Sequence, residues 1–251
     1  NTGFEIGQAN LICNGQESTP VTFTFYGNEI GQWNGIYFND NSDNGVSSTL
    51  NHTIIEKAGN GSWNSNLYCN NTNQPLLNHV NLLDADGNGL RLINANLIVQ
   101  NSLFQGNTIN GAFLDNSNPV FTEVEFNANQ NAGLYYSSTG LAPAFTSCII
   151  QNNIYGIYSP SPNNSFATPA ADVYVLIDNE TDIAIGGGTI NSDCNWGYFD
   201  NGIAVLGNVT VKKSSSNPRL TIEAGNTLKF ASSTNLHVGG SSSEGGELYA
   251  E

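Results

Sequence analysis

Carboxylate side chains are the first residues of this sequence whose types and spacing could do chemistry. Glu123 and Glu125 lie two residues apart, so within one β-strand they would share a face, and with Val124 inward both would point to solvent. Glycoside hydrolysis requires two carboxylates across a groove. The pair is therefore a candidate for binding a cation or acting on a sugar, although we favour a solvated surface.

A second acidic group imitates the start of a calcium-binding loop. Asp84, Asp86 and Asn88 alternate along the chain, as the first oxygen ligands of such loops do. The loop also needs an acid at its twelfth position, where this chain has Ala95. Gly89 already serves as a repeat glycine, as described below. We therefore favour a turn here, and calcium is the single cofactor that the sequence suggests.

Two histidines occupy equivalent positions in an echoed segment. Leu50-Asn51-His52 is followed 27 residues later by Leu77-Asn78-His79, so the two imidazoles are expected to stack one above the other. A metal ion could bind between them, but a third ligand is not evident. We favour a structural stack.

Asp40 and Asp43, in the loop after Phe38, are a weaker candidate for an acidic site.

Aromatic side chains follow the repeat glycines and are candidates for binding carbohydrate. Tyr135, Tyr136 and Tyr158 occur in this position, as does Phe113. Aromatic side chains that point outward from their strands would form a stacked strip suited to sugar rings, whereas those that point inward would belong to the core. The sequence leaves both interpretations open.

The elements that must position these residues are short strands in a repeat. Glycines followed by apolar strands recur at Gly89, Gly111, Gly133 and Gly156, which are 22, 22 and 23 residues apart. Gly35 is an earlier copy, 54 residues before Gly89, which leaves room for two longer units. A period of roughly 20–25 residues with alternating faces predicts a β-solenoid. We therefore predict an all-β fold, a right-handed parallel β-helix with coils of about 22–27 residues.

The repeat also predicts which residues stack inside the solenoid. Val124 and Phe126 align with Ser102 and Phe104 in one coil and with Cys148 and Ile150 in another, so all of these should be buried. Three asparagines occupy nearly the same position in successive repeats, namely Asn107, Asn129 and Asn153. Their spacing predicts an internal ladder of stacked amides, with Asn-rich loops as the alternative.

The chain divides into three parts by this pattern. Residues 1–158 carry the glycine repeat, and residues 159–172 are rich in Pro, Ser and Asn, which predicts a protruding loop or a seam. Residues 173–251 are further β-helix coils, incomplete at the C-terminus.

Composition excludes several classes of partner. Six Lys and Arg stand against 21 Asp and Glu, for a net charge of −15, which argues against nucleic acid and anionic membranes. No apolar run is long enough to insert into a membrane.

The chain begins with Asn and contains no Met, so we expect a processed product or a fragment of a larger protein.

Three stretches carry a resemblance to a known family. Residues 33–38 with 48–59, residues 217–230 and residues 236–250 resemble the repeat phrases of secreted right-handed parallel β-helix proteins, which are frequent on the surface of Bacteroidota-like bacteria. The resemblance implies this fold and an extracellular, cell-surface location. It implies no catalytic residues. It also places the start and the end of the chain at nearly the same phase of a longer repeat.

These observations predict a non-enzymatic structural or adhesive module of an extracellular surface protein or fibre. Its expected partners are copies of itself or neighbouring modules, stacked end to end. No acid/base set converges in the sequence to support catalysis. The alternative is a β-helix protein that binds or degrades carbohydrate, because enzymes also use this fold.

Overall fold

The computed structural model describes residues 2–39, 47–137, 142–240 and 243–251. These residues form 27 strands and no helix, and the strands pair in parallel to build a β-solenoid. The predicted parallel β-helix is therefore confirmed. Asp40 and Asp43 lie outside the described residues.

The first 14 strands run from the N-terminus through the regular glycine repeat. They are β1 (Phe4–Ile6), β2 (Ile12–Asn14), β3 (Val21–Phe23), β4 (Ile36–Phe38), β5 (Thr49–Glu56), β6 (Ser65–Asn70), β7 (Leu76–Leu83), β8 (Asn88–Ile93), β9 (Ile98–Gln100), β10 (Leu103–Gln105), β11 (Asn110–Asp115), β12 (Val120–Thr122), β13 (Glu125–Asn127) and β14 (Ala132–Tyr136).

The remaining strands include the irregular coil and the C-terminal coils. They are β15 (Ala144–Thr146), β16 (Cys148–Gln151), β17 (Tyr155–Ser159), β18 (Tyr174–Ile177), β19 (Thr181–Ile185), β20 (Gly188–Ile190), β21 (Cys194–Trp196), β22 (Ile203–Val205), β23 (Val209–Val211), β24 (Arg219–Ile222), β25 (Leu228–Phe230), β26 (Leu236–Val238) and β27 (Glu247–Ala250).

Four sheets run along the solenoid. The long sheet takes one strand from each coil, in the order β1-β4-β6-β8-β11-β14-β17-β19-β22-β25. An 11-stranded sheet covers the rest of the N-terminal coils, and the three-stranded sheets β20-β23-β26 and β21-β24-β27 cover the C-terminal coils. Each coil thus contributes a strand to the long sheet before the chain turns two corners and returns.

The register of the long sheet confirms the glycine repeat. Leu90, Ala112, Leu134 and Ile157, each next to a repeat glycine, are paired in succession. Ile36 and Leu90 are separated by one intervening strand, in which Leu67 pairs with both. The two steps from Gly35 to Gly89 are therefore the two longer units that the sequence predicts.

Close packing explains why glycine recurs in this phrase. A Cβ atom at Gly111 would lie 2.7 Å from the carbonyl oxygen of Gly133 and 2.9 Å from the side-chain nitrogen of Asn129. Contacts this short are repulsive, so a larger residue would displace the backbone of the next coil. The glycine leaves the room that a buried amide needs.

The buried amides form the predicted internal ladder. The side-chain Nδ2 of Asn107 donates to Oδ1 of Asn129 at 2.8 Å, and Asn129 donates to Oδ1 of Asn153 at 3.0 Å. Asn153 in turn donates to Oδ1 of Asn179 at 3.0 Å. All four side chains are buried. Asn179, which the sequence analysis did not include, extends the ladder by one coil.

The apolar core follows the predicted alignment. Phe104 pairs with Phe126, and Phe126 pairs with Ile150. The rings of Phe104 and Phe126 meet edge to face, with centroids 5.3 Å apart, a favourable geometry for aromatic pairs. Val124 and Cys148 are also buried, as expected.

Residues with positive φ form the corners between the sheets. One corner stacks His52, His79, Asn101, Glu123 and Ser147, whose φ angles lie between 44° and 54°. At His52 and His79 the long strands β5 and β7 bend through this corner. Asn adopts the left-handed conformation more readily than most residues, which accounts for part of the Asn content.

An irregular segment separates the two sets of coils. Strand β17 ends at Ser159 and β18 begins at Tyr174, with no strand assigned between them. Within this segment Phe166 makes a bridge to Trp196 in β21. The segment thus contacts the C-terminal coils, whereas β18 pairs with β16 of the N-terminal coils.

The C-terminal coil, which we call the open turn, comprises β25, β26 and β27. Its strands carry apolar residues in register with fully buried residues of the preceding coil. These pairs are Val205–Phe230, Val211–Val238 and Leu220–Leu248. Phe230 is 48% exposed and Leu248 is 45% exposed, against 0% for their partners. The open turn therefore presents core-type side chains to solvent.

Candidate functional site

The long sheet carries a line of flat side chains on its outer surface, which we call the ring row. In the register of this sheet the members follow one another, one per coil. They are Tyr37, Tyr68, Arg91, Phe113, Tyr135 and Tyr158. All six are half-buried, and they alternate with buried core residues in their strands.

Stacking orders the ring row. The rings of Tyr37 and Tyr68 are stacked with centroids 4.7 Å apart, and those of Phe113 and Tyr135 are stacked at 4.9 Å. Between the two pairs stands Arg91, whose Cζ lies 4.8 Å from the Tyr68 centroid and 5.9 Å from that of Phe113. These distances suit cation–π contacts, so the guanidinium takes the place of a ring in the stack.

Backbone carbonyl groups hold Arg91 in this position. Its Nη1 donates to the carbonyl oxygen of Ser62 at 2.7 Å and to that of Trp63 at 3.3 Å. The ring of Trp63 lies 5.3 Å from that of Tyr37. The segment containing Ser62 and Trp63 therefore forms a wall beside the ring row.

The predicted aromatic residues fall into two groups. Tyr135 and Tyr158 point outward and meet edge to face at 5.0 Å, and Phe113 stands beside them in the same row. Because neighbouring rings cover each other, the row presents mainly ring edges to solvent. Tyr136, by contrast, is only 4% exposed and lies 6.1 Å from the ring of Phe166. The outward interpretation is wrong for Tyr136, which belongs to the core.

A second line of side chains, the amide row, lies where the strands of the long sheet begin, with Asn88 and Asn110 as the first residues of β8 and β11 and Asn131 just before β14. It consists of Asn88, Asn110 and Asn131. Asn131 donates from Nδ2 to Oδ1 of Asn110 at 2.8 Å, and Asn110 donates to Oδ1 of Asn88 at 2.8 Å. Asn88 donates to the carbonyl oxygen of Asn64 at 3.0 Å. The amide row is thus fixed by side-chain bonds between coils.

An open groove of about 530 Å³ lies between the amide row and the ring row. It is lined by Gly61, Ser62, Asn64, Asn88, Arg91, Ile109, Asn110, Phe113, Asn131 and Tyr135. Sequence reasoning found Phe113 and Tyr135 as candidate sugar-binding aromatics and, as a calcium ligand, Asn88. It missed Arg91 and the wall, because the wall belongs to an earlier coil whose length departs from the repeat.

The carboxylates Glu123 and Glu125 do not share one strand. Glu123 lies at the corner between β12 and β13, with φ of 53°, and is exposed, while Glu125 is half-buried within β13. The Oε1 atom of Glu125 accepts a hydrogen bond from Nε2 of Gln151 at 2.7 Å. The expectation of one shared strand face is therefore wrong, because the chain turns at Glu123.

The candidate calcium ligands are spread over a corner and a strand. Asp84 and Asp86 are exposed, and Asp84 has a φ of 51°. Partial burial and the nearby Glu56 carboxylate raise the pKa of Asp84. Asn88 is buried within the amide row. Among the described residues no group of three or more His, Cys, Asp or Glu is placed to hold a metal ion. Calcium binding stays a prediction.

The two histidines stack as predicted. The rings of His52 and His79 lie 4.4 Å apart, centroid to centroid, with an interplanar angle of 3°. Parallel rings direct their nitrogen lone pairs along parallel lines, so this arrangement does not aim both imidazoles at one ion. Packing between coils is the role that the geometry supports.

A buried carboxylate that the sequence analysis did not single out lies in the C-terminal half. Asp182 is 1% exposed and accepts hydrogen bonds from the backbone nitrogen of Asn201 at 2.9 Å and from its Nδ2 at 3.3 Å. Burial raises the pKa of Asp182, and the bonds from Asn201 oppose this. With its oxygens directed at Asn201, Asp182 fixes the backbone before β22.

Two buried tyrosines lead to a pH prediction. Burial raises the pKa of Tyr174 to about 12 and also raises that of Tyr136. Each phenol contributes stability that is fully present below about pH 10, the unfolded value, and is lost as pH rises through the folded pKa. We expect the free energy of unfolding to fall by about 2–3 kcal/mol per tyrosine by pH 12.

Urea denaturation between pH 8 and pH 12 measures this effect. The double variant Tyr136→Phe, Tyr174→Phe should show a flatter decline than the wild type. Tyr26→Phe is the matched control, because Tyr26 is fully exposed. An unchanged slope in the double variant would contradict the prediction.

Fold and surface together define the class of this protein, a parallel β-solenoid with an aromatic and amide-lined lateral groove. No family model, curated protein or solved structure matches the chain. The resemblance to Bacteroidota-type surface proteins therefore stays a prediction. Within the described part of the chain, no helix has the length and apolar character to cross a membrane.

Proposed function

We propose that this chain is a non-enzymatic structural or adhesive module that stacks end to end within an extracellular surface protein or fibre. The observation that carries the proposal is the exposure of core-type side chains on the open turn. Phe230 and Leu248 stand where a further coil would bury them completely. The extracellular location rests on the family resemblance alone.

The backbone of the open turn supports the same proposal. Strands β25, β26 and β27 are each the last member of their sheet, so each presents one edge of N–H and C=O groups that no further strand of the described residues pairs. Exposed strand edges readily add a further strand. A following coil would pair these edges and cover the apolar side chains in one step.

The first coil offers a complementary surface. It too consists of three short strands, β1, β2 and β3, and β1 is the first member of the long sheet that ends at β25. Phe4 in β1 is 45% exposed and packs against Phe23 with ring centroids 6.3 Å apart. The first coil of one copy could therefore continue the open turn of another, strand for strand.

Self-association tests the proposal. We expect light scattering to show assemblies that grow with protein concentration and with salt, because salt screens the net charge of −15. The variant Phe230→Asp should shift the chain to a single copy, since it places an unpaired charge in the contact. Ile98→Asp is the matched control, because Ile98 is 50% exposed on the side of the solenoid.

A tandem fusion of two copies tests the covalent form of the array. Its melting temperature should exceed that of the single chain, because the junction buries the open turn of the first copy. A single-copy mass at every salt concentration, together with a fusion that melts like the single chain, would refute end-to-end stacking.

The alternative function is binding or degradation of carbohydrate. The lateral groove favours the binding form, because it combines amides with aromatic edges. The residues that line it include no carboxylate, whereas hydrolysis of a glycosidic bond requires two.

A further inference from the structure

We propose that the groove between the ring row and the amide row binds a neutral carbohydrate chain laid along the solenoid axis. This deepens the adhesive form of the proposed function, because it names the ligand class and the surface that holds it. The groove lies on the side of the solenoid, so it is separate from the open turn that would mediate stacking.

Periodicity is the first argument. Three successive coils each place one flat side chain at the groove, in the register order Arg91, Phe113 and Tyr135. Adjacent strands are separated by about 4.8 Å, so a flat side chain recurs at this interval. An extended glycan also repeats its unit at close to one strand spacing, and successive sugars would therefore meet equivalent groups.

The chemistry of the two rows is the second argument. The amides that a sugar can reach are those of Asn64 and Asn131, which are half-buried, whereas Asn110 is buried and accepts a hydrogen bond from Asn131. Carboxamides both donate and accept hydrogen bonds, which matches the hydroxyl groups of a sugar. The facing edges of Phe113 and Tyr135 supply apolar contact for its C–H groups. Because the amide row and Arg91 are already fixed by hydrogen bonds, little ordering is needed on binding. A volume of about 530 Å³ is in the range of ligand sites.

Charge selects a neutral ligand. Arg91 is the one cation among the lining residues, and its Nη1 is engaged by the carbonyl groups of Ser62 and Trp63. The net charge of −15 repels a polyanion before it reaches the groove. Hydroxyl groups, rather than carboxylates or sulfates, are therefore the groups that this groove recognises.

Affinity electrophoresis of the full chain in gels containing β-glucan, xylan, galactomannan or dextran tests the proposal, with pectate as the anionic arm. We expect at least one neutral polymer to retard the chain. Calorimetry with oligosaccharides from that polymer then compares variants. Tyr135→Ala should weaken binding by about tenfold or more.

Tyr158→Ala is the matched control. Tyr158 is half-buried in the same row but does not line the groove, so its loss should change affinity by less than about twofold. Ser62→Trp is a second variant, which fills the groove from an exposed position and should abolish binding without altering the melting temperature.

Three outcomes would overturn the proposal: no retardation by any neutral polymer, retardation by pectate alone, or equal weakening by Tyr135→Ala and Tyr158→Ala. Light scattering of the same samples reports stacking independently. A chain that binds glycan while staying a single copy would contradict stacking between separate copies while leaving the groove intact.

Discussion

Replacing Phe126 by alanine is expected to lower the free energy of unfolding by about 3–5 kcal/mol. The side chain is fully buried and packs edge to face against Phe104 and against Phe121, with centroids 5.3 and 5.2 Å away. Each coil is sandwiched between two others, so the surrounding backbone has little freedom to collapse into the cavity. Urea denaturation followed by circular dichroism measures the loss.

Phe230→Ala is the control for this prediction. Phe230 occupies the equivalent kind of strand position but is 48% exposed in the open turn, so in dilute solution its loss should change stability by less than about 1 kcal/mol. Equal losses for the two variants would show that Phe126 is not enclosed as the structure places it.

Replacing Asn129 by alanine is expected to lower the free energy of unfolding by about 2–6 kcal/mol, because two buried backbone groups lose their partners at about 1–3 kcal/mol each. The Oδ1 atom of Asn129 accepts from the backbone nitrogen of Asn107 at 3.2 Å. Its Nδ2 donates to the carbonyl oxygen of Phe104 at 3.1 Å. Both hydrogen bonds are buried.

The control lies two residues away in the same coil. Asn127 points outward and donates from Nδ2 to Oε1 of Gln105 at 3.5 Å in an exposed contact. Since water can replace that bond, Asn127→Ala should cost less than about 1 kcal/mol. A variant of Asn129 as stable as that of Asn127 would mean that the internal ladder does not contribute to stability.

The regular coils are the part of the fold that the sequence predicts well. Phe104, Phe126 and Ile150 could be aligned from sequence because each coil repeats both its length and its alternation of faces. The ladder from Asn107 to Asn153 could be predicted in the same way, because these asparagines occupy the same position in successive coils. Asn179 was missed because the irregular segment before β18 interrupts the count of residues.

The corners between strands could not be located from the alternation of polar and apolar residues. A strand and a left-handed corner followed by a strand both produce alternating polarity over a few residues. Glu123 was therefore read as a strand residue, although its backbone turns there. The sequence leaves the side of Tyr136 open for a related reason. Tyr135 and Tyr136 are neighbours that point to opposite faces, and the sequence does not show which of the two faces inward.

The groove could be predicted only in part. Tyr135 was recognised by its type and its place after a glycine. Arg91 occupies the same register but is a cation, so a search for aromatic residues passes over it. Ser62 lies in a longer coil, and its nearness to Arg91 arises from the stacking of coils rather than from spacing in the sequence.

The shared direction of the strands has a consequence for the symmetry of any assembly. Two open turns facing each other across a two-fold axis would bring their strands together antiparallel, and the pattern of parallel pairing would be lost. Joining the open turn to the first coil of the next copy preserves it. Such a contact is heterologous, so it does not close into a dimer and can repeat without limit. An assembly of this kind is polar, with two chemically different tips, and the lateral groove of every copy lies on the same continuous sheet.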